Sequence, residues 1–473
     1  MFSLKNSFLL LFCISNFTIL YGQTNPLTLQ QCIDIAIQNN LSIKMSDINL
    51  NIAKNNALQS QAQTLPSLNA GATHIYQYGR TIDRYTNTFA NTQVLSQNFF
   101  LSAQWTIWSG LAQYNTIQSN KMNTLAAQEN LAQQKNDLML NVATAYINVL
   151  LSQDVLKINQ IQYDISKQQY ERIKILTEQG SAALSSLKDA EAQLANDELN
   201  LVNAKNTLEL NILALKQILN IPSQQDIDIV KPSIEIHPDI FNQYTTEDIY
   251  NMALKTQPSV KSRTYQLQAN EYLLKANRGR RSPVLSISTS LATGYSGLAK
   301  RIIGYQTKTD TLGTIPSFGP LIYNQQVPIF EKTPFLQQYK DNFNQTLGFS
   351  LTLPLFNGLN THTAIQNAKL NVLNAKYNLD LNNQNLYKTI VQAYTNAKAA
   401  LQKYETSKKA YEAALTSYEI NNAKYQQGSL SFFDYTIALH RKTSAELNLL
   451  QAKYDTFFKL KILEFYTGKP LNF

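Results

Sequence analysis

The chain has 473 residues, of which 44% are hydrophobic and only 15 are Gly and 13 Pro. That length exceeds one compact core, and the abundance of Asn, Gln, Ala and Leu suits long helices with wide polar faces better than a globular α/β enzyme. The net charge of +9 does not imply nucleic acid as a partner, because Lys and Arg alternate with Asp and Glu along helical stretches and no recognition motif accompanies them.

The first segment reads as an export signal, residues 1–22. Lys5 supplies the positive region, Phe8 to Leu20 an apolar stretch too short to span a bilayer, and Gly22 a small residue before Gln23. The mature chain is then 23–473. Cys13 follows Phe12, not a small residue, so a lipid anchor is not expected. Cys32 is spaced with Ile33, Ala36 and Ile37 on an apolar helix face and reads as a small core residue. Nowhere later do 18 apolar residues run together.

Thr28-Leu-Gln-Gln31 has the pattern of a capping box opening a helix. Leu65-Pro66-Ser67-Leu68 then leads into a segment of small and alternating residues, 67–78, and a second alternating segment follows at 97–108, with Phe99, Leu101, Ala103, Trp105 and Ile107 on one face. Trp108-Ser-Gly110 closes it. From Leu111 to Gln179 there is neither Gly nor Pro, enough for a helix of about 100 Å. Gly180 interrupts, and Ser181 to Ile221 is a second helical run. Gly at a helix end tolerates the left-handed backbone that reverses a chain, so a helical hairpin with its tip at Gly180 is predicted.

The returning arm carries Leu187, Ala190, Leu194, Asp197, Leu201, Ala204, Leu208, Asn211, Leu215 and Ile218 at alternating spacings of three and four. This is the period of a helix lying along partner helices, with Asp197 and Asn211 interrupting the seam and setting register.

A linker, 223–244, precedes Thr245-Thr-Glu-Asp248, a second capping pattern 217 residues after the first. The same offset relates Ala36 to Ala253, Pro66 to Pro283 and Leu68 to Leu285. Lys275, Arg278, Arg280 and Arg281 form a basic cluster just before a third alternating segment, 284–295. A fourth, 346–356, has Leu347, Phe349, Leu351, Leu353 and Leu355 on one face and ends in Phe356-Asn-Gly358. From here the offset is 248: Gly110 to Gly358, Tyr146 to Tyr394, Gly180 to Gly428, Pro222 to Pro470. The chain therefore reads as two repeats, about 28–222 and 245–470. The change of offset leaves a 31-residue insertion in the second, in the loop-like stretch Gly297 to Asp341. Leu359 to Gln427 again lacks Gly and Pro, Gly428 marks a second tip, and Ser429 to Thr467 returns.

Period-two alternation over about ten residues, with one apolar and one small polar face, fits membrane β-strands, with Trp105, Trp108, Tyr76, Tyr78 and Tyr295 suited to aromatic girdles; an ordinary antiparallel sheet packed on helices is the alternative that periodicity alone leaves open. An open sheet edge is not tolerated in lipid and membrane barrels need at least about eight strands. Four strands in a membrane therefore require oligomerisation. The four histidines, His74, His237, His362 and His440, lack metal-ligand spacing, and neither a phosphate-cradling glycine loop nor a Gly-x-Ser-x-Gly elbow is present. No enzymatic activity, metal or cofactor is expected.

This order of motifs, duplicated, resembles the TolC-like outer-membrane efflux proteins over nearly the whole mature chain. The resemblance implies a fold that is mainly α with a β-barrel portion. Long helical hairpins form a trimeric periplasmic α-barrel, and four strands per chain contribute to a shared 12-stranded outer-membrane barrel. It implies a homotrimer in outer-membrane lipid, working with a periplasmic adaptor protein and an inner-membrane RND or ABC transporter in efflux or type I secretion. The adaptor would meet the tips at Gly180, Ser181, Leu184, Gly428, Ser429 and Leu430. The family's axial acidic ring falls on Asp434, six residues past Gly428; a solvated helix-start aspartate is the plainer reading. The chain departs from the family at Ile437, Leu430 and Ser186, where the family has a second Asp, a basic residue and an acidic partner. A charged gate at Asp434 and an apolar one at Phe432, Phe433 and Ile437 both remain open. Arg278, Arg280, Arg281, Trp105 and Trp108 are expected at the membrane interface. The rival from another class is an exported periplasmic coiled-coil structural or adhesive protein, which has no need of duplicated strand pairs.

Overall fold

The computed structural model describes residues 26–91 and 93–469; the expected signal segment 1–22, Cys13 and Pro470 lie outside them. In chain order the elements are α1 (Leu29–Asn39), α2 (Leu41–Ala62), β1 (Ser67–Gln77), β2 (Thr81–Asp83), β3 (Thr88–Ala90), β4 (Val94–Trp108), α3 (Ala112–Glu178) and α4 (Leu184–Leu219). Then follow α5 (Ile240–Gln243), α6 (Thr246–Thr256), α7 (Pro258–Gly279), β5 (Val284–Ser296), β6 (Lys300–Ile315), β7 (Gly319–Lys332), α8 (Phe335–Asp341), β8 (Asn344–Thr352), α9 (Asn360–Gln426) and α10 (Phe432–Tyr466). The elements of the two repeats correspond in length: α1 and α6 both have 11 residues, α2 and α7 both 22, α3 and α9 both 67.

Both capping boxes are formed. Gln31 N–H donates to Thr28 Oγ1 at 3.3 Å while Thr28 N–H donates to Gln31 Oε1 at 2.9 Å. Asp248 N–H donates to Thr245 Oγ1 at 3.2 Å and Thr245 N–H to Asp248 Oδ2 at 2.9 Å. The Thr245 hydroxyl, then its backbone N–H, hold the Asp248 carboxyl below the usual carboxylate range.

The chain divides into two compact units. The first comprises residues through Met45, Ala132–Gln257 and Asn385 onward. Its core includes Ile240, Ile249, Ala253, Ile390, Ala397, Leu460 and Leu463. Here Tyr146, 1% exposed, donates to the carbonyls of Leu27 (3.0 Å) and Val230 (2.5 Å), tying the helix to an isolated parallel bridge between Leu27 and Ile229. Along α4 the seam is buried at Ala190, Asp197, Leu201, Ala204 and Leu215.

The second unit comprises Ser46–Leu131 and Pro258–Gln384. It holds an antiparallel four-stranded sheet in the order β1-β4-β5-β8. Ser67 pairs with Gln104 in β1–β4, and Val284 with Thr352 in β5–β8. Adding 217 to a β1 residue and 248 to its β4 partner reproduces every β5–β8 pair from Val284↔Thr352 to Ala292↔Asn344. The repeats therefore share a register as well as a sequence pattern. β8 stops at Thr352, short of Phe356, because Pro354 has no N–H to donate to a ladder.

The stretch 297–341, expected as a loop, is a β-hairpin of β6 and β7 followed by α8. Bulges between Ile302 and Gly304 and between Thr311 and Gly313 break the alternation that would have marked the strands. The base of this hairpin is pinned by buried Gln338: its Oε1 accepts from Ser296 N–H at 2.8 Å, and its Nε2 donates to the carbonyls of Thr333 (2.9 Å) and Ser296 (3.1 Å). Among the described residues no helix is long and apolar enough to cross a membrane.

Candidate functional site

Both predicted tips are helix–turn–helix reversals in the first unit. At the first, Gly180 has φ 75° and Ser181 N–H donates to Leu176 O at 2.8 Å. At the second, Gly428 has φ 74° and Ser429 N–H donates to Lys424 O at 3.0 Å. These are six-to-one bonds of a Schellman stop, which needs a left-handed residue and so favours glycine. At either glycine a Cβ would point into open space, with nothing within 4 Å, so conformation, not crowding, requires them. Gly180, Ser181, Leu184, Gly428 and Ser429 are exposed, and Leu430 is half-buried.

The tips differ at the start of the returning helix. α4 has Ala183 at its N-cap and no side-chain cap. α10 has Ser431, whose Oγ accepts from Asp434 N–H at 3.1 Å and donates to Asp434 Oδ2 at 2.7 Å. Asp434 is thus an exposed carboxylate in the first turn of a helix, fixed in direction by its own cap. Of its neighbours, Phe433 is 67% exposed, whereas Phe432 and Ile437 are half-buried.

Phe432 joins an aromatic cluster within the protomer. Tyr425 and Tyr435 stack with centroids 4.6 Å apart, Phe432 lies 6.2 Å from Tyr425, and the Arg172 guanidinium sits 5.7 Å over the Tyr425 ring. Burial pushes the Tyr435 hydroxyl upward, and its hydrogen bond with Tyr418 adds to this, so it stays neutral. The cluster fastens the second tip to α3.

Further along the same helices Asp197, 2% exposed, accepts hydrogen bonds from the Ser166 hydroxyl, from Gln162 Nε2 at 3.2 Å and from Gln193 Nε2 at 2.9 Å. Gln162 Oε1 accepts in turn from the Thr443 hydroxyl at 3.0 Å. One network thereby joins α3, α4 and α10. The sequence flags Asp197 as a break in the seam but not its partners; the one local sign of them is that Gln162 and Ser166 lie one turn apart on α3. Asn211, the other break, is half-buried and donates to Asn148 O at 3.4 Å.

In the second unit Trp105 and Trp108 are 40% and 47% exposed at one end of the sheet, Trp105 donating from Nε1 to Thr64 O at 2.8 Å. Arg278 and Arg280 flank the end of α7, and with Arg281 they join no ion pair found among the described residues. No group of three or more metal-ligating side chains occurs among the described residues.

The sequence profile described as outer membrane efflux protein matches residues 32–220 and 249–469. The chain belongs to the outer membrane efflux protein family. It is 24% identical over 407 residues to outer membrane protein TolC of Escherichia coli, covering 84% of this chain and 73% of that protein. It is 20% identical over 387 residues to the alkaline protease secretion protein AprF of Pseudomonas aeruginosa, covering 82% and 71%. The solved structure of VceC from Vibrio cholerae superposes with a TM-score of 0.73 at 15% identity, over 94% of this chain and 97% of that one. This efflux-family chain is an outer-membrane channel for efflux or type I secretion, mainly helical with a β-barrel portion.

Proposed function

We propose that three copies of this chain close into one conduit through the outer membrane and periplasm, passively passing substrates delivered by an inner-membrane RND or ABC transporter through a periplasmic adaptor, with no chemistry of its own. The observation that carries this is the sheet. Its inner pair, β4 and β5, joins one repeat to the next, while β1 and β8 are edges. An unpaired edge costs several kcal/mol per exposed group in hydrocarbon, of the order expected for an unsatisfied amide. A second copy that offers β1 to β8 removes both edges, and three copies of a four-stranded sheet give the 12-stranded barrel that the family resemblance implies.

Two structural repeats, about 28–222 and 245–470, joined by an equatorial linker 223–244, then place equivalent tips six times around the axis. The exposed residues Gly180, Ser181, Leu184, Gly428 and Ser429, with Leu430, form the adaptor-contacting surface. Asp434 and Phe433 are exposed on their own protomer and form the gate; Phe432 and Ile437 back them. Counting subunits in detergent-extracted protein tests the trimer. Three chains of 53.5 kDa before signal removal are expected per particle, and a stable monomer in detergent-free buffer would overturn it.

A further inference from the structure

We propose that the cleft between the α7–β5 and β8–α9 junctions binds the phosphate headgroup of an anionic membrane lipid, one per protomer. The proposal deepens the reading of the sheet as part of a membrane barrel and rests on it. Because Val284 pairs with Thr352, the residues just before β5 and just after β8 emerge at the same end of the sheet. There they enclose about 290 Å³, lined by Arg280, Arg281 and His362 together with Leu355, Phe356 and Leu359. Leu355 is 88% and Phe356 82% exposed, so the protomer itself covers neither. The two arginines have no carboxylate partner among the ion pairs of the described residues. Guanidinium groups beside an uncovered apolar wall fit an amphiphile with an anionic oxygen-rich head: charge-assisted, bidentate hydrogen bonds for the phosphate and an apolar surface for the first methylenes of the chains. Arg278 does not line the cleft.

The fold does not itself demand these charges. The first repeat makes the same junction in the same strand register, yet the positions equivalent to Arg280, Arg281 and His362 are Gln63, Thr64 and Tyr114. There the junction is held by neutral bonds, Trp105 Nε1 to Thr64 O at 2.8 Å and Gln113 Nε2 to Ser60 O at 2.7 Å. The cationic cleft therefore belongs to the second repeat alone.

The test is native mass spectrometry of the full-length protein in detergent, with phosphatidylglycerol, phosphatidylcholine or inorganic phosphate added. Retention of up to three phosphatidylglycerol molecules per trimer is expected, exceeding that of phosphatidylcholine. Arg280→Gln with Arg281→Gln should lower it about thirtyfold, at about fivefold per cation removed near a headgroup, while Arg278→Gln leaves it unchanged. Leu355→Ser, which keeps both arginines, should weaken lipid retention and supplies the comparison if the double variant does not assemble. Equal loss with Arg278→Gln would mean diffuse surface charge and overturn the cleft. Full displacement by inorganic phosphate, with Leu355→Ser unaffected, would make it a free-phosphate site and overturn the lipid. Wild-type protein that assembles as a trimer yet retains no lipid overturns this proposal alone, whereas a wild-type monomer takes down the barrel reading beneath it.

Discussion

Gly110 and Gly279 meet backbone to backbone: a Cβ on either would overlap the carbonyl oxygen of the other. The turn leaving β4, where Gly110 and Leu111 have φ of 61° and 62°, is thereby seated on the last residue of α7. Gly279→Ala forces the two backbones apart and should destabilise the protein by about 1–3 kcal/mol, the usual cost of overpacking. Gly110→Ala should cost more, since it adds left-handed strain to the overlap. Gly358→Ala, with open space around it and φ 62°, should show the strain alone. The order Gly110 over Gly279 and Gly358 in thermal melting of the assembled protein checks the assignment.

Asp197 is the second place where packing depends on one residue. Asp197→Ala leaves Gln162, Gln193 and Ser166 without their buried acceptor, at about 1–3 kcal/mol for unsatisfied buried groups. Asp197→Asn keeps the shape and part of the bonding and should cost less. Because Gln162 also holds Thr443, the loss should reach α10, and faster proteolysis near the second tip in the Asp197→Ala protein is the expected readout. Equal cleavage rates would mean the network is local.

What the sequence made legible was whatever depends on neighbours in the chain. The capping boxes at Thr28 and Thr245 are bonds between residues three apart. Gly180 and Gly428 stand out because the long runs before them hold no other glycine. The strand pairs declare themselves by alternation. The hairpin of β6 and β7 did not, because Gly304 and Gly313 lie at bulges where alternation slips. The network of Asp197 escaped because Thr443 lies 281 residues from Gln162. Phe432 and Phe433 look identical in sequence; only the phase of α10 turns one inward and the other out. Gly279 carries no local sign, since its need for no side chain comes from Gly110.

Asp434 should act as an axial ring if the gate is charged. Three carboxylates in one constriction attract multivalent cations, so a trivalent cation added on the tip side should block single-channel current. Asp434→Asn should abolish most of that block. Ser431→Ala removes the cap, at about 1 kcal/mol of helix stability, yet should retain the block. Equal block of wild type and Asp434→Asn would assign the constriction to Phe433 instead.

Cys32 offers a built-in probe of the first unit. It is 0% exposed, and burial pushes its thiol up to about 11 from 9.0. With the folded value raised, the stabilisation is complete below pH 9 and is lost as pH rises towards 11. A thiol reagent at pH 8 should therefore leave native protein unlabelled and label it only in denaturant. Stoichiometric labelling of native protein would contradict the packing of α1.

If β8 of one protomer pairs with β1 of the next, as a closed barrel requires, the repeat fixes the register of that pairing. Transposing the β4–β5 pair Ser102↔Ser290 by the two repeat offsets puts Ser350 opposite Thr73 of the neighbour. Within one protomer these residues sit on opposite edges of a four-stranded sheet, about 14 Å apart across it and well out of step along it, Thr73 being level with Gly294 of β5 through Asn98 and Ser350 with Ser286, far beyond the roughly 7 Å Cα reach of a disulfide. The decisive measurement is oxidative cross-linking of the Thr73→Cys/Ser350→Cys protein in outer membranes. Covalent dimers and trimers are predicted, with little from the register-shifted pair Thr73→Cys/Gln345→Cys. Cross-linking by the shifted pair, or none by the predicted one in an intact trimer, would contradict the shared barrel as described.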